Sequence, residues 1–144
     1  MIEMETPFKK ILCPIDFDRV SVPAVEMVKK LAANGEVKVY LMYVIQESSR
    51  RESPSKDENR VAEENIRSIA HKWFEGVTPF EIAIRAGDPA AEIIAAGKEF
   101  HADLIVMATH GRTGVEHMLL GSVAERVVRE SHRPVLTVRP HGSK

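Results

Sequence analysis

The chain reads as an α/β domain, doubly wound about a five-stranded parallel sheet in the order 3-2-1-4-5 with four helices. Three observations predict it. Short β-rich runs alternate with stretches of helical spacing in the order β-α-β-α-β-α-β-α-β. That alternation implies parallel strands joined by right-handed crossovers. The fourth β-rich run, Leu104-Ile105-Val106-Met107, is free of polar residues, as expected of a strand covered on both faces.

The elements follow in order. Ile11-Leu12-Cys13 forms the first strand, and Val25, Val28 and Leu31/Ala32 line one face of the first helix. Val37 to Val44 is the second strand; Ala62, Ile66, Ile69 and Trp73 then recur at helical spacing. Phe80 to Ile84 is the third strand. Asp88-Pro89 opens the third helix, with Asp as N-cap and Pro at the first helical position, before Ile93, Ala96 and Phe100. The fourth helix starts at Gly121-Ser122 and carries Ala124, Val127 and Val128; Val135 to Val138 is the last strand. Residues Gln46 to Asp57 are polar without an apolar period and read as a flexible surface loop. Within it, Arg50-Arg51 before Ser53 has the look of a kinase target, against which stands the ordinary solvated charged loop.

Composition narrows the function classes. The 144 residues suit one domain, and at that length a core buries about two-thirds of the unfolded surface without staples. Lys plus Arg number 20 and Asp plus Glu 21, a net charge of -1, so no global field favours nucleic acid or an anionic membrane as partner. A single cysteine excludes an internal disulfide framework and a Cys-rich zinc site. The longest apolar run, Val39 to Ile45, falls far short of the roughly twenty residues of a membrane helix. Met1 to Lys10 carries Glu3 and Glu5 and lacks a signal peptide's apolar stretch, so a cytoplasmic location is expected.

Topology brings two segments together. In the order 3-2-1-4-5, strands 1 and 4 are neighbours whose crossovers leave to opposite faces, and ligands bind in the crevice at their carboxyl ends. Pro14-Ile15-Asp16 lies at one of these ends, and the stretch from Ala108 through Gly111, Arg112 and Gly114 to Gly121-Ser122 at the other. Glycines let backbone N–H groups approach an anion closely, and the helix opening at Gly121-Ser122 offers its N-terminal amides to phosphate. Arg112 would add a cation. The Asp16 carboxylate suits a ribose hydroxyl or a phosphate-bound Mg²⁺. Against this stands a local reading in which Ser122-Val123-Ala124-Glu125 is a capping box and Ser122 caps the helix. Neither a Walker A sequence nor a G-x-G-x-x-G fingerprint is present.

The segments Lys9 to Phe17, Tyr43-Val44-Ile45, Ala102 to Met107, Thr109 to Glu125 and Pro134 to Val138 together resemble the universal stress protein (UspA-like) family, in consistent order over residues 7 to 140. The resemblance implies a homodimer and either an ATP-binding or a non-binding branch. The binding branch carries G-x2-G-x9-G-[ST]. On this chain Gly111 is the second glycine and Gly121-Ser122 closes the pattern, while Ala108 stands where the first glycine falls. By the same carry-over Asp16 contacts the ribose or adenine side, and Val44 meets adenine through its backbone. Gly111, Arg112, Gly121, Ser122 and Val123 surround the phosphates, and Pro14, Ile15, Met107, Ala108 and His110 complete the expected nucleotide-binding set. The implied ligand is ATP, with AMP or ADP as alternatives and Mg²⁺ or Mn²⁺ as the accompanying ion. If position 108 needs a positive φ, alanine costs about 1–2 kcal/mol and about tenfold in affinity; if φ is negative, one methyl costs little.

Other residues are expected to be structural. Cys13 reads as a small core residue rather than a redox sensor. His110 and His117 lack the partners of a metal set, and Trp73 belongs to the helix 2 core face rather than to an adenine platform. The arginines after Gly121 read as a solvated surface. Strand 5 is an edge whose unpaired backbone invites a second copy. The expected activity is a nucleotide-dependent stress-response switch with a possible protein partner, not a fast enzyme. No lysine of the P-loop kind and no water-activating base is placed, and slow hydrolysis at Asp16 is the most the residues support. Two alternatives stay open: a nucleotide-free dimeric interaction module, and a weak ATPase.

Overall fold

In the computed structural model, residues 8–16, 21–33, 35–46, 54–110 and 120–139 are described. Five strands and four helices alternate: β1 (Lys10–Pro14), α1 (Val22–Ala32), β2 (Lys38–Gln46), α2 (Lys56–Phe74), β3 (Phe80–Gly87), α3 (Pro89–Glu99), β4 (Leu104–Ala108), α4 (Ser122–Glu130) and β5 (Val135–Val138). The sheet is parallel throughout and ordered β3-β2-β1-β4-β5, as the alternation predicts.

Strand alternation sorts the core into two layers. Ile11 and Cys13 of β1 and Ile15 just after it, with Val39 and Leu41 of β2 and Val106 of β4, pack with Val25 and Val28 of α1 and Ile66, Ala70 and Phe74 of α2. Leu12, Tyr40, Met42, Ile105 and Met107 point the other way, against Ala90, Ile93 and Ala96 of α3 and Ala124 and Val127 of α4. Helices α1 and α2 therefore cover one face and α3 and α4 the other. This is the doubly wound arrangement, and it puts the β1–α1 and β4–α4 connections on opposite sides of the sheet.

The helix starts follow local chemistry. The Asp88 carboxylate caps α3 by accepting the Ala91 N–H at 3.0 Å, with Pro89 in the first turn. Ser55 caps α2 by accepting the Glu58 N–H at 3.1 Å. Helix α4 starts at Gly121-Ser122 as expected: its N-cap is Gly121, in extended conformation, which brings no side-chain cap. Ser122 is thus the first helical residue and not the cap, so Ser122–Glu125 forms no capping box. Val128 departs too. It is 45% exposed, because α4 rests on the sheet through Ala124 and Val127 and its apolar arc is narrower than the sequence suggests.

The polar segment expected as a loop is shorter at both ends. Gln46 pairs with Gly87 in the sheet, and Lys56 and Asp57 open α2; residues 47–53, with Arg50, Arg51 and Ser53, lie outside the described residues. β3 also runs beyond Ile84 to Gly87, where φ is +139°, a conformation that favours glycine. Trp73 is half-buried against the α1/α2 layer, with the ammonium groups of Lys29 and Lys72 at 5.9 and 5.5 Å from its ring centre. Among the described residues no helix is long and apolar enough to cross a membrane.

Candidate functional site

The end of β1–β4 pairing at Leu12↔Ile105, short of the end of either strand, has a covalent cause. The Ile15 N–H donates to Met42 O of β2 at 2.8 Å, so alternate residues Leu12 and Pro14 turn their backbone toward β4. The β1–β4 register runs Ile11↔Leu104 and Leu12↔Ile105. The next donor along that edge would be Pro14, which has no N–H. The proline therefore removes a ladder bond where the two central strands approach their carboxyl ends. Pro14 is level with Met42 of β2, and the strands beyond it carry Asp16 and Val44.

Each connection leaving this end is tied by one hydrogen bond. On the α1 side the Asp16 N–H donates to Ser21 Oγ at 2.8 Å, and Ser21 is buried. On the α4 side the Gly121 N–H donates to Thr109 O at 2.7 Å, while the Thr109 N–H continues the sheet to Val138 O at 3.0 Å. A Cβ on Gly121 would stand 3.4 Å from both Thr109 O and His110 Cα, in contact with each.

The expected site residues distribute as follows. Pro14, Ile15 and Met107 are buried, while Asp16, Val44, Ala108, His110, Gly121 and Val123 are half-buried and Ser122 is exposed. All sit at the carboxyl ends of β1, β2 and β4 or in the first turn of α4. Gly111, Arg112 and His117 lie outside the described residues. Ala108 ends β4 opposite Val138, and among described non-glycine residues only His101 has a positive φ. The alanine is thus unstrained where the glycine of the pattern would fall.

His110 carries the unusual electrostatics. Its Nδ1 lies 3.1 Å from Thr109 Oγ1, and its Nε2 is buried with no hydrogen-bond partner among the described residues. Native structures rarely leave a buried polar atom so. The ring edge lies by the start of α4, since a Cβ on Gly121 would be 3.7 Å from His110 Cδ2. Cys13, one residue below Pro14, is fully buried, and desolvation pushes its thiol up to about 12. That is a core residue's environment, not a reactive thiolate's. No group of three or more His, Cys, Asp or Glu able to hold a metal occurs among the described residues.

Ser21 was not marked by the sequence, Thr109 only as part of the stretch after β4, and Arg126 only among the solvated arginines. Arg126 joins α4 to the start of α3, with Nη1 2.5 Å from Asp88 Oδ2 and Nε 2.7 Å from Glu130 Oε2; these carboxylates, Glu130 foremost, raise its pKa. Arg129 likewise faces Glu125 at 3.6 Å, so the arginines of α4 are neutralised locally rather than forming a basic stripe. The signal for Ser21 was its place before Val22-Pro23 at a helix start, which reads equally as an ordinary cap.

Comparison with known proteins agrees with this geometry. Residues 7–139 match the model of the Universal stress protein family. The universal stress protein MJ0531 of Methanocaldococcus jannaschii is 36% identical, over 94% of this chain and 84% of its own. MJ0577 of the same organism is 31% identical over 97% of this chain and all of its own, and its solved structure superposes with a TM-score of 0.83 over 96% of this chain and 100% of that one. A universal stress protein solved in complex with cAMP shares the fold at a TM-score of 0.73 and 21% identity, over 94% of this chain and 99% of that one. With a family model spanning nearly the whole chain and relatives matched from end to end, this chain belongs to the universal stress protein family.

Proposed function

We propose that this protein binds ATP in the crevice at the carboxyl ends of β1, β2 and β4 and acts as a nucleotide-dependent switch. The observation that carries the reading is the start of α4. The helix begins at a glycine, which brings no side-chain cap, and the buried Nε2 of His110, without a partner among the described residues, lies beside it. The N-terminal amides and the helix dipole favour an anion, and a phosphate oxygen would satisfy both the amides and the imidazole nitrogen. Ser122 and Val123 supply those first-turn amides, with Gly111 and Arg112 assigned to the phosphates by the family pattern. Asp16 accepts from ribose and the Val44 backbone meets the base, with Pro14 and Ile15 below. Met107 and Ala108 form the floor on the β4 side. A protein of the same fold carries cAMP, an adenine nucleotide.

Mg²⁺ or Mn²⁺ would be held chiefly by the phosphates, with the Asp16 carboxylate assigned to assist. Turnover is at most slow on this reading. AMP and ADP are weaker ligands, since they forgo contacts at α4. Equilibrium calorimetry with ATP tests the proposal: saturable micromolar to submillimolar binding is expected. No saturable binding at millimolar nucleotide overturns it and leaves the nucleotide-free interaction module standing.

The active form on this reading is a homodimer joined through β5, a cytoplasmic assembly of two single-domain chains. The support is that β5 lies at the sheet edge and all four of its residues are half-buried, while Val128 of the overlying α4 stays exposed. An edge with open backbone groups and uncovered valine is well suited to a second copy.

A further inference from the structure

We infer that Ser21 is a positioning residue for Asp16: by accepting the Asp16 amide, its hydroxyl oxygen fixes the carboxylate against the sugar of a bound nucleotide. The inference rests on the nucleotide reading above and adds to it a residue outside the family's pattern. Ser21 stands at the N-cap of α1, where a serine oxygen ordinarily accepts from the second or third helical N–H. Here it does not. Its backbone is already helical, at φ −84° and ψ −19°, and its side chain makes no capping bond. Pro23 occupies the second helical position and brings no N–H, so part of the usual demand for a cap is absent.

The hydroxyl oxygen is instead 2.8 Å from the Asp16 amide nitrogen, in a side chain only 6% exposed. Ile15 donates from the end of β1 to β2, and strand alternation turns the next amide, that of Asp16, away from β2 and toward Ser21 Oγ. A ligand-facing carboxylate must be held to within about 0.5 Å, and a buried hydrogen bond at its own amide is a direct way to do so. The clasp also joins the two ends of the β1–α1 connection, just as Gly121 N–H to Thr109 O joins the ends of the β4–α4 connection.

The test uses the full chain with ATP and 2′,3′-dideoxy-ATP, titrated by calorimetry into wild type, Ser21→Ala, Ser21→Thr, Asp16→Asn and the Ser21→Ala/Asp16→Asn double variant. Ser21→Ala is expected to weaken ATP binding by about five- to tenfold, the scale of one hydrogen bond. It should leave the dideoxy nucleotide nearly unchanged, add nothing on top of Asp16→Asn, and be rescued by Ser21→Thr. Equal weakening of both nucleotides, or additivity with Asp16→Asn, overturns the inference and makes Ser21 merely structural. Amide exchange of Asp16 in the ligand-free protein separates this from the parent reading. Protection lost in Ser21→Ala and kept in Ser21→Thr upholds the clasp, and equal exchange in all three refutes it. Failure of wild type to bind either nucleotide overturns the nucleotide reading and the sugar-facing role with it, while the exchange result still decides whether Ser21 holds Asp16.

Discussion

The carbonyl of Thr109 accepts the amide of Gly121 at 2.7 Å, closing the two ends of the β4–α4 connection beneath the start of α4. This bond sets how far the helix N-terminus stands from β4. A side chain at 121 would stand in contact with Thr109 O and His110 Cα, its Cβ 3.4 Å from each.

Gly121→Ala should therefore act on stability and binding together. Alanine is a poorer N-cap than glycine, and its methyl would lie in van der Waals contact with Thr109 O and His110 Cα at the helix start. A loss of about 1 kcal/mol in unfolding free energy is expected, with ATP affinity reduced by about tenfold as the methyl takes up space assigned to the phosphates. Denaturant titration and calorimetry on the same preparation check both. Unchanged ATP affinity would detach α4 from the ligand.

Ala108→Gly makes the opposite point. The family pattern has glycine where Ala108 stands, but the alanine is in regular β4 backbone and carries no positive φ. Restoring the glycine relieves no strain. It should lower stability by about 0.5–1 kcal/mol, as a glycine inside a strand does, and change ATP affinity by less than about threefold. A tenfold gain in affinity would show instead that the methyl intrudes on the ligand.

Most of the fold was legible because periodicity reports burial. The alternation in Ile11-Leu12-Cys13 and Val39 to Met42 sorts side chains to two faces, and both faces are covered. The site was legible in outline for the same reason: topology alone puts Asp16 and Gly121 at neighbouring strand ends. What escaped depends on geometry that spacing does not encode. Gly121 and Ser122 are both acceptable caps, and only the backbone decides that glycine takes the position. The Ser21 bond to Asp16 and the Arg126 bridge to Asp88 are single contacts without a period. Val128 was misassigned because the width of an apolar arc depends on how the helix sits at the sheet edge.

Cys13, the chain's one cysteine, gives a clean probe of opening. Burial raises its pKa from 9.0 to about 12, so the folded thiol stays neutral where an unfolded one ionises. The neutral form is thus favoured by folding. Stability from this group is whole below about pH 9 and declines as pH rises toward 12, by up to about 1.4 kcal/mol per unit. Native protein at pH 8 should resist iodoacetamide and react only through unfolding. Saturating ATP should slow that reaction further in proportion to its binding energy. In Cys13→Ala the stability loss between pH 9 and 10.5 should be smaller than in wild type. Rapid alkylation of the native protein would contradict the buried placement.

Thr137 offers a selective test of the dimer. The Thr109 N–H donates to Val138 O and the Ile105 N–H to Pro134 O, so even-numbered residues of β5 turn their backbone toward β4. Val135 and Thr137 consequently turn theirs outward, to the open edge. Thr137→Pro removes one outward N–H and leaves the β4–β5 ladder its donors, a substitution that edge strands tolerate. If two copies pair along β5, this variant should sediment as a monomer at micromolar concentration, where wild type sediments as a dimer. Its circular dichroism should remain that of the folded domain, which separates loss of pairing from loss of fold. A variant that is folded and still dimeric would place the contact between copies elsewhere. The exposed Val128 on α4 would then be the next position to change, since it is the apolar side chain beside this edge that the fold leaves uncovered.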